Sequence, residues 1–148
     1  MPSHSEQRTL PFAPDQLFDL VADIGKYPEF LPWCVGARIL DQNDAEIRAE
    51  LAIGYKGMRE RFTSQVTLDR PNRRILVRYV EGPFKYLENR WEFEPLDGTG
   101  CRLDFHVEFE FRSRLMESLI GRFFGEAVRR MVQAFETRAV DLYGPAPK

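Results

Sequence analysis

Few side chains in this 148-residue chain can do covalent or acid–base chemistry, and they are poorly placed for it. It has two histidines, His4 and His106, and two cysteines, Cys34 and Cys101. His4 lies close to the amino terminus, where a mobile end is expected. His106 falls on the polar phase of an alternating run, which predicts a solvated surface histidine. Neither stands beside a plausible Ser or Cys nucleophile in sequence. Cys34 and Cys101 are too few and too far apart for a zinc motif, and no His/Cys cluster supports a metal. Cys34 reads as packing, because nothing near it in sequence lowers a thiol pKa. Gly54 and Gly57 precede no Lys-Ser/Thr pair, so no phosphate loop is present. The strand carboxylates alternate outward and read as solvated faces. Catalysis is not expected.

Binding chemistry is better represented. Glu60 shares the inward phase of Phe62, Asn89 that of Trp91, and Tyr79 that of Val77. Buried polar groups need partners. Such residues either bond to strand ends and neighbouring backbone, or orient the polar head of a ligand in an apolar pocket. The run Tyr27-Pro28-Glu29-Phe30-Leu31-Pro32-Trp33-Cys34 holds two prolines and three aromatics. Proline fixes φ and pushes Tyr27 and Leu31 away from helical backbone. So apolar a connection either caps one end of a core or guards a cavity. Phe123, Phe124, Met131 and Phe135 leave the same choice open, because a helix gripped by a sheet bounds both core and pocket.

These groups must be held by a recognisable set of elements. Ser5 to Leu10 predicts a first strand. Pro14 suits the first position of a helix carrying Leu17, Phe18, Val21 and Ile24, with Gly25 as its stop. The period then changes from helical to two. Val35/Ala37/Ile39, Ile47–Ile53, Phe62–Leu68, Ile75–Tyr79, Leu87–Phe93 and Cys101–Phe111 alternate with polar partners, the mark of half-buried antiparallel strands. Short turns separate them at Gln42–Asp44, Asp69–Asn72 and Asp97–Gly100. A long helix is expected from about Arg114 to Tyr143, with Ser113 as N-cap and Gly144-Pro145 as its end. Its apolar stripe is wider than a helix on a sheet edge needs. The expectation is an α+β fold: six to seven antiparallel strands curved around a long C-terminal helix, with two short helices after the first strand.

The composition bounds the rest. Residues 1–148 read as one domain, able to bury roughly 68–70% of its unfolded surface. Hydrophobic residues make up 43%, charged 30% and aromatic 13%, and the net charge is −2 with a pI near 5.8. That balance argues against whole-chain attraction to phosphate, and DNA is not an expected partner. No basic-then-apolar leader opens the sequence, and no run approaches 18 apolar residues, so membrane contact would be peripheral. Reduced cysteines fit a cytoplasmic setting. Arginines gather at Arg59, Arg61, Arg70, Arg73, Arg74 and Arg78, with Arg122, Arg129, Arg130 and Arg138 on the helix. Interleaved acids make a solvated face the default, and a local patch for anionic lipid or ribosomal RNA the alternative.

The order of elements resembles the START-like, or helix-grip, superfamily of polyketide cyclase/dehydrase-like proteins. Val21-Ala22-Asp23-Ile24-Gly25-Lys26-Tyr27-Pro28-Glu29-Phe30-Leu31-Pro32-Trp33-Cys34 resembles the signature of its coenzyme Q-binding members. Gly82-Pro83-Phe84, followed by Leu87, Trp91 and Phe93, fits the same family's middle strands. The likeness covers nearly the whole chain, and the Tyr-Pro-x-Phe-Leu-Pro-Trp-Cys run is its specific part. It implies a cavity between sheet and C-terminal helix that binds ubiquinone, and a carrier or chaperone role supporting respiratory electron transfer. Ubiquinone would be a ligand, with no cofactor and no catalysis. Read onto this chain, the ligand-binding residues are Tyr27, Phe30, Leu31, Trp33, Glu60, Asn89, Trp91, Phe123, Phe124 and Met131. The family also includes RatA-like ribosome-association toxins, which implies the large ribosomal subunit as an alternative partner and inhibited translation initiation. A cyclase or dehydratase using Glu60 is a third reading, resting on fold analogy. Mitochondrial members carry a targeting segment that this sequence lacks, so the resemblance implies a cytoplasmic protein, with peripheral contact at the inner face of the cytoplasmic membrane.

Overall fold

The computed structural model describes residues 3–55, 58–96, 100–121 and 124–144. The period-two runs become strands β1 (Ser3–Leu10), β2 (Cys34–Gln42), β3 (Glu46–Tyr55), β4 (Met58–Asp69), β5 (Arg74–Glu81), β6 (Phe84–Pro95) and β7 (Cys101–Phe111). They form one antiparallel seven-stranded sheet in the order β1-β7-β6-β5-β4-β3-β2. Helix α1 (Pro14–Ala22) and a 3₁₀ turn (Ile24–Glu29) lie between β1 and β2. Helices α2 (Arg114–Gly121) and α3 (Phe124–Tyr143) follow β7. The expected helix-grip architecture is therefore present.

Strand pairing sets which side chains face the helices. Directly paired residues share a face, so Ile75↔Trp91↔Phe105 and Phe93↔Leu103 line up on the concave side. Every second residue of β7, from Cys101 to Phe111, is buried. Local signals fix the turns and ends. Asn43 Oδ1 accepts from the amides of Ala45 and Glu46, closing the β2–β3 turn. The Ser113 hydroxyl accepts from the amide of Met116, capping α2 as its residue type predicts. At the end of α3, Gly144 takes φ 84° and its amide donates to Val140 O.

Several expectations shift. β1 begins at Ser3, and His4 pairs with Val107 inside it rather than lying at a loose end. Helix α1 stops at Ala22, before Gly25. Tyr27 and Pro28 do not leave helical backbone, since both sit in the 3₁₀ turn. A turn this short forfeits only one donor to proline, and neighbouring amides compensate, as Phe30 and Leu31 both donate to Tyr27 O. Edge strand β2 loses its alternation because bulges interrupt its register near Gly36 and Asp41. Val35 and Leu40 are exposed as a result. Of the expected helix over 114–143, the described residues supply α2 and α3.

Alternating chain direction sorts the turns to two ends of the sheet. The β2–β3, β4–β5 and β6–β7 turns share one end with α1 and the close of α3. The β3–β4 and β5–β6 turns, the start of β2 and the close of β7 share the other. At the first end, α1 packs on β5, β6 and α3 and fills the concave face. Phe18 meets Phe93 edge-on at 5.7 Å, and the Arg70 guanidinium covers the outer face of Phe18 at 4.6 Å. Tyr143 at the end of α3 donates its hydroxyl to Gln16 O in α1. Among the described residues, nothing equivalent to α1 fills the second end.

Candidate functional site: an apolar cavity under the long helix

At that second end, sheet and α3 enclose a cavity of about 240 Å³. Its sheet wall comes from Leu51 and Ile53 of β3, Phe62 and Val66 of β4, and Val77 of β5. Phe84 and Leu87 of β6 continue it, with Val107, Phe109 and Phe111 of β7. Ala127, Val128 and Met131 of α3 form the roof. Tyr27, Leu31 and Trp33 close the side next to β2, where Trp33 O accepts from Gly54 N of the adjacent strand. Trp91 and Phe135 make the floor that divides the cavity from the solid core, with ring centroids 5.0 Å apart.

Polar groups in this lining are few. Tyr27 donates its hydroxyl to Val21 O, and burial pushes its phenol pKa well up. Cys34 is a free, buried thiol whose Sγ donates to Gly36 O, and burial raises its pKa, so no thiolate forms near neutrality. Trp91 Nε1 donates to Asn89 Oδ1 at 2.7 Å, and Asn89 Nδ2 donates to His106 O at 3.0 Å. Ser64, 3% exposed, also lines the cavity. Its hydroxyl makes no hydrogen bond to the described residues and borders the open space of the cavity. The described lining contains no carboxylate and no Lys, Arg or His, so its chemistry suits an apolar molecule and offers no acid–base pair. Among the described residues no group of His, Cys, Asp or Glu could hold a metal ion.

The residues singled out in sequence are divided by the structure. Tyr27, Leu31, Trp33, Asn89, Trp91 and Met131 come together around the cavity. Phe30 does not line it, because its ring packs edge-on against Phe135 at 5.2 Å beneath the Arg138 guanidinium, sealing the 3₁₀ turn to α3. Glu60 does not line it either. It keeps the inward phase opposite Ile53, but two residues past Phe62 towards the strand end. Tyr79 also lies outside, its hydroxyl accepting from Phe84 N. Phe123 lies outside the described residues, as does the side chain of Phe124. Ser64 was missed: it shares the inward phase of Phe62 and Val66, but a small hydroxyl among apolar neighbours reads as filler. His106 lies on the convex polar face, as its phase predicts, partly exposed and with Nδ1 bonded to Ser5 Oγ at 2.6 Å.

Known proteins agree with this geometry. The chain is 40% identical to the ribosome association toxin RatA of Escherichia coli over 97% of its length and 90% of the relative's. It is 39% identical to the mitochondrial coenzyme Q-binding protein COQ10 homolog B of Xenopus laevis, over 95% of this chain and 59% of that one. The solution structure of an 18 kDa protein from Caulobacter crescentus superposes with a TM-score of 0.79 at 37% identity, covering 98% of this chain and 100% of that one. Residues 10–136 match the family model described as polyketide cyclase / dehydrase and lipid transport, and the chain belongs to that family.

Proposed function

We propose that this protein binds an isoprenoid quinone of the ubiquinone type, with the ring and the first part of the tail under α3. The carrying observation is the cavity itself: an almost wholly apolar chamber bordered by two tryptophans and a tyrosine. The coenzyme Q-binding relative supports the ligand class. At about 240 Å³ the chamber is below the roughly 300–1,000 Å³ of drug-sized pockets, so a long tail must run out past the β3–β4 end. Each buried methylene contributes about 0.8 kcal/mol relative to water. The tail's alternative home is a bilayer rather than water, so selectivity has to come from the ring. A carrier or chaperone role, rather than turnover, fits a lining without a general acid or base.

The two tryptophans of the chain, Trp33 and Trp91, both line the cavity and report on its contents. Decylubiquinone is expected to quench their fluorescence saturably at one equivalent. Quenching that is linear and unsaturable would show that the quinone only collides with the surface.

A second reading, ribosome association, has its own observation. The convex face is uneven in charge. Arg38, Arg48, Arg59, Arg61 and Arg78 share the outward phase across β2–β5, where Glu50 pairs with Arg38 and Arg61, while Glu88, Glu92, Asp104, Glu108 and Glu110 dominate β6–β7. Arg70, Arg73 and Arg74 do not join the basic half, being ion-paired with Asp19, Asp15 and Asp69. Cosedimentation with large ribosomal subunits that is lost in an Arg59→Glu/Arg61→Glu/Arg78→Glu variant would support this reading. No cosedimentation at low salt would remove it.

A further inference from the structure

Resting on the lipid-binding reading above, we infer that Ser64 and Asn89 are the selectivity site of the cavity, donating hydrogen bonds to oxygens of an uncharged lipid head, and that lipids with a free carboxylate are rejected. The inference comes from accounting for each polar atom in the lining. Tyr27, Cys34 and Trp91 each spend their single donor on a protein acceptor. Asn89 carries two N–H donors and spends one on His106 O. Its amide cannot be turned around, because its oxygen faces the Trp91 donor and its nitrogen faces the His106 carbonyl. The second N–H is left over. The other remaining donor is the hydroxyl of Ser64, a residue 3% exposed that makes no hydrogen bond to the described residues and borders the cavity. Both donors face apolar neighbours, so a ligand oxygen that bonds to them is favoured over a hydrocarbon of the same shape, which would cover them without a partner.

The spacing of the two donors narrows the class. Ser64 is opposite Tyr79, and Asn89 is opposite Val77, two positions along the same intervening strand. On a flat sheet their Cα atoms would lie about 12 Å apart, from two strand spacings and two residue rises. The concave curvature and the two inward side chains shorten the gap between the polar atoms. A ring with oxygens on opposite edges can engage both donors, whereas a monofunctional ester engages one. A carboxylate would enter a low-dielectric chamber with no cation among the described lining residues to meet it.

The test is displacement of Nile red, a neutral apolar dye, by three ligands: decylubiquinone, decylbenzene and myristate at pH 8. The wild type is expected to prefer decylubiquinone over decylbenzene by more than tenfold and to bind myristate most weakly. Ser64→Ala should cut decylubiquinone affinity about fivefold, the size of one neutral hydrogen bond, and leave decylbenzene within twofold. A residual preference of about fivefold in that variant would be the share of Asn89. An equal change for both ligands, or no preference in the wild type, would overturn the selectivity site while leaving an apolar cavity in place. Complete loss of preference in Ser64→Ala would remove Asn89 from it. Myristate binding as tightly as decylubiquinone would overturn the exclusion of acids. Displacement by none of the three would overturn the lipid-binding reading and this inference with it.

Discussion

The two ends of the sheet–helix interface use the same strands and the same helix but reach opposite outcomes. At the α1 end, Phe18, Ile75, Val132, Cys101 and Ala139 are at most 1% exposed. At the β3–β4 end, Leu87, Val107 and Phe109 keep 8–9% exposure, and Leu51, Ile53 and Phe62 are only half-buried. The difference is one wedge. Helix α1 inserts Leu17, Phe18, Leu20 and Val21 between β5–β6 and α3, and among the described residues no counterpart enters the far end. Close packing is therefore concentrated where the wedge lies, and open space where it does not.

Truncation at the wedge should do the most damage. Phe18→Ala is expected to destabilise by about 3–5 kcal/mol, measured by urea unfolding. Leu51→Ala, on the cavity wall, should fall below the ~2–5 kcal/mol of a filled-core truncation, because its neighbours already face space. Equal losses would contradict a division of labour between the ends. Next in size, Gly82→Ala should destabilise by about 1–3 kcal/mol. Gly82 has φ 143°, and a Cβ there would stand 2.7 Å from Phe62 Cβ and 3.0 Å from Arg61 O. Since Phe62 lines the cavity, that variant should also weaken quinone retention. A variant with unchanged stability and binding would show that the β5–β6 turn relaxes freely.

The mildest effect is pH-dependent. Burial of Cys101 pushes its thiol from 9.0 up to about 11. The folded state therefore favours the neutral thiol. Its contribution is complete below pH 9 and is lost as pH rises from 9 to 11, on the order of 2 kcal/mol or less. Cys101→Ala should flatten that alkaline limb, and a limb of unchanged slope would assign it to other groups.

The fold was legible because its signals are local. Six alternating runs, Pro14 at N1, Ser113 as cap and Gly144 as stop each read directly onto an element. The cavity was legible only in part. Inward phase located Asn89 and Trp91, but phase says nothing of position along a strand, so Glu60 was grouped with residues that lie deeper. Phe30 and Trp33 belong to one aromatic run, yet the 3₁₀ turn directs the first against α3 and the second to the cavity. No sequence signal separates them, since only the tertiary approach of Arg138 and Phe135 does. The arginines divided for the same reason. Arg70 and Arg73 adjoin Arg74 in sequence, but their partners are acids of α1, about fifty residues earlier.

The most direct test is to incubate the purified protein with ubiquinone-containing vesicles, re-isolate it, and quantify extracted quinone by mass spectrometry beside a Val77→Trp variant that fills the chamber. Near-stoichiometric quinone on the wild type, and at least tenfold less on the folded variant, is the predicted result. Equal quinone on both proteins, or none on either, would contradict a ligand site beneath α3.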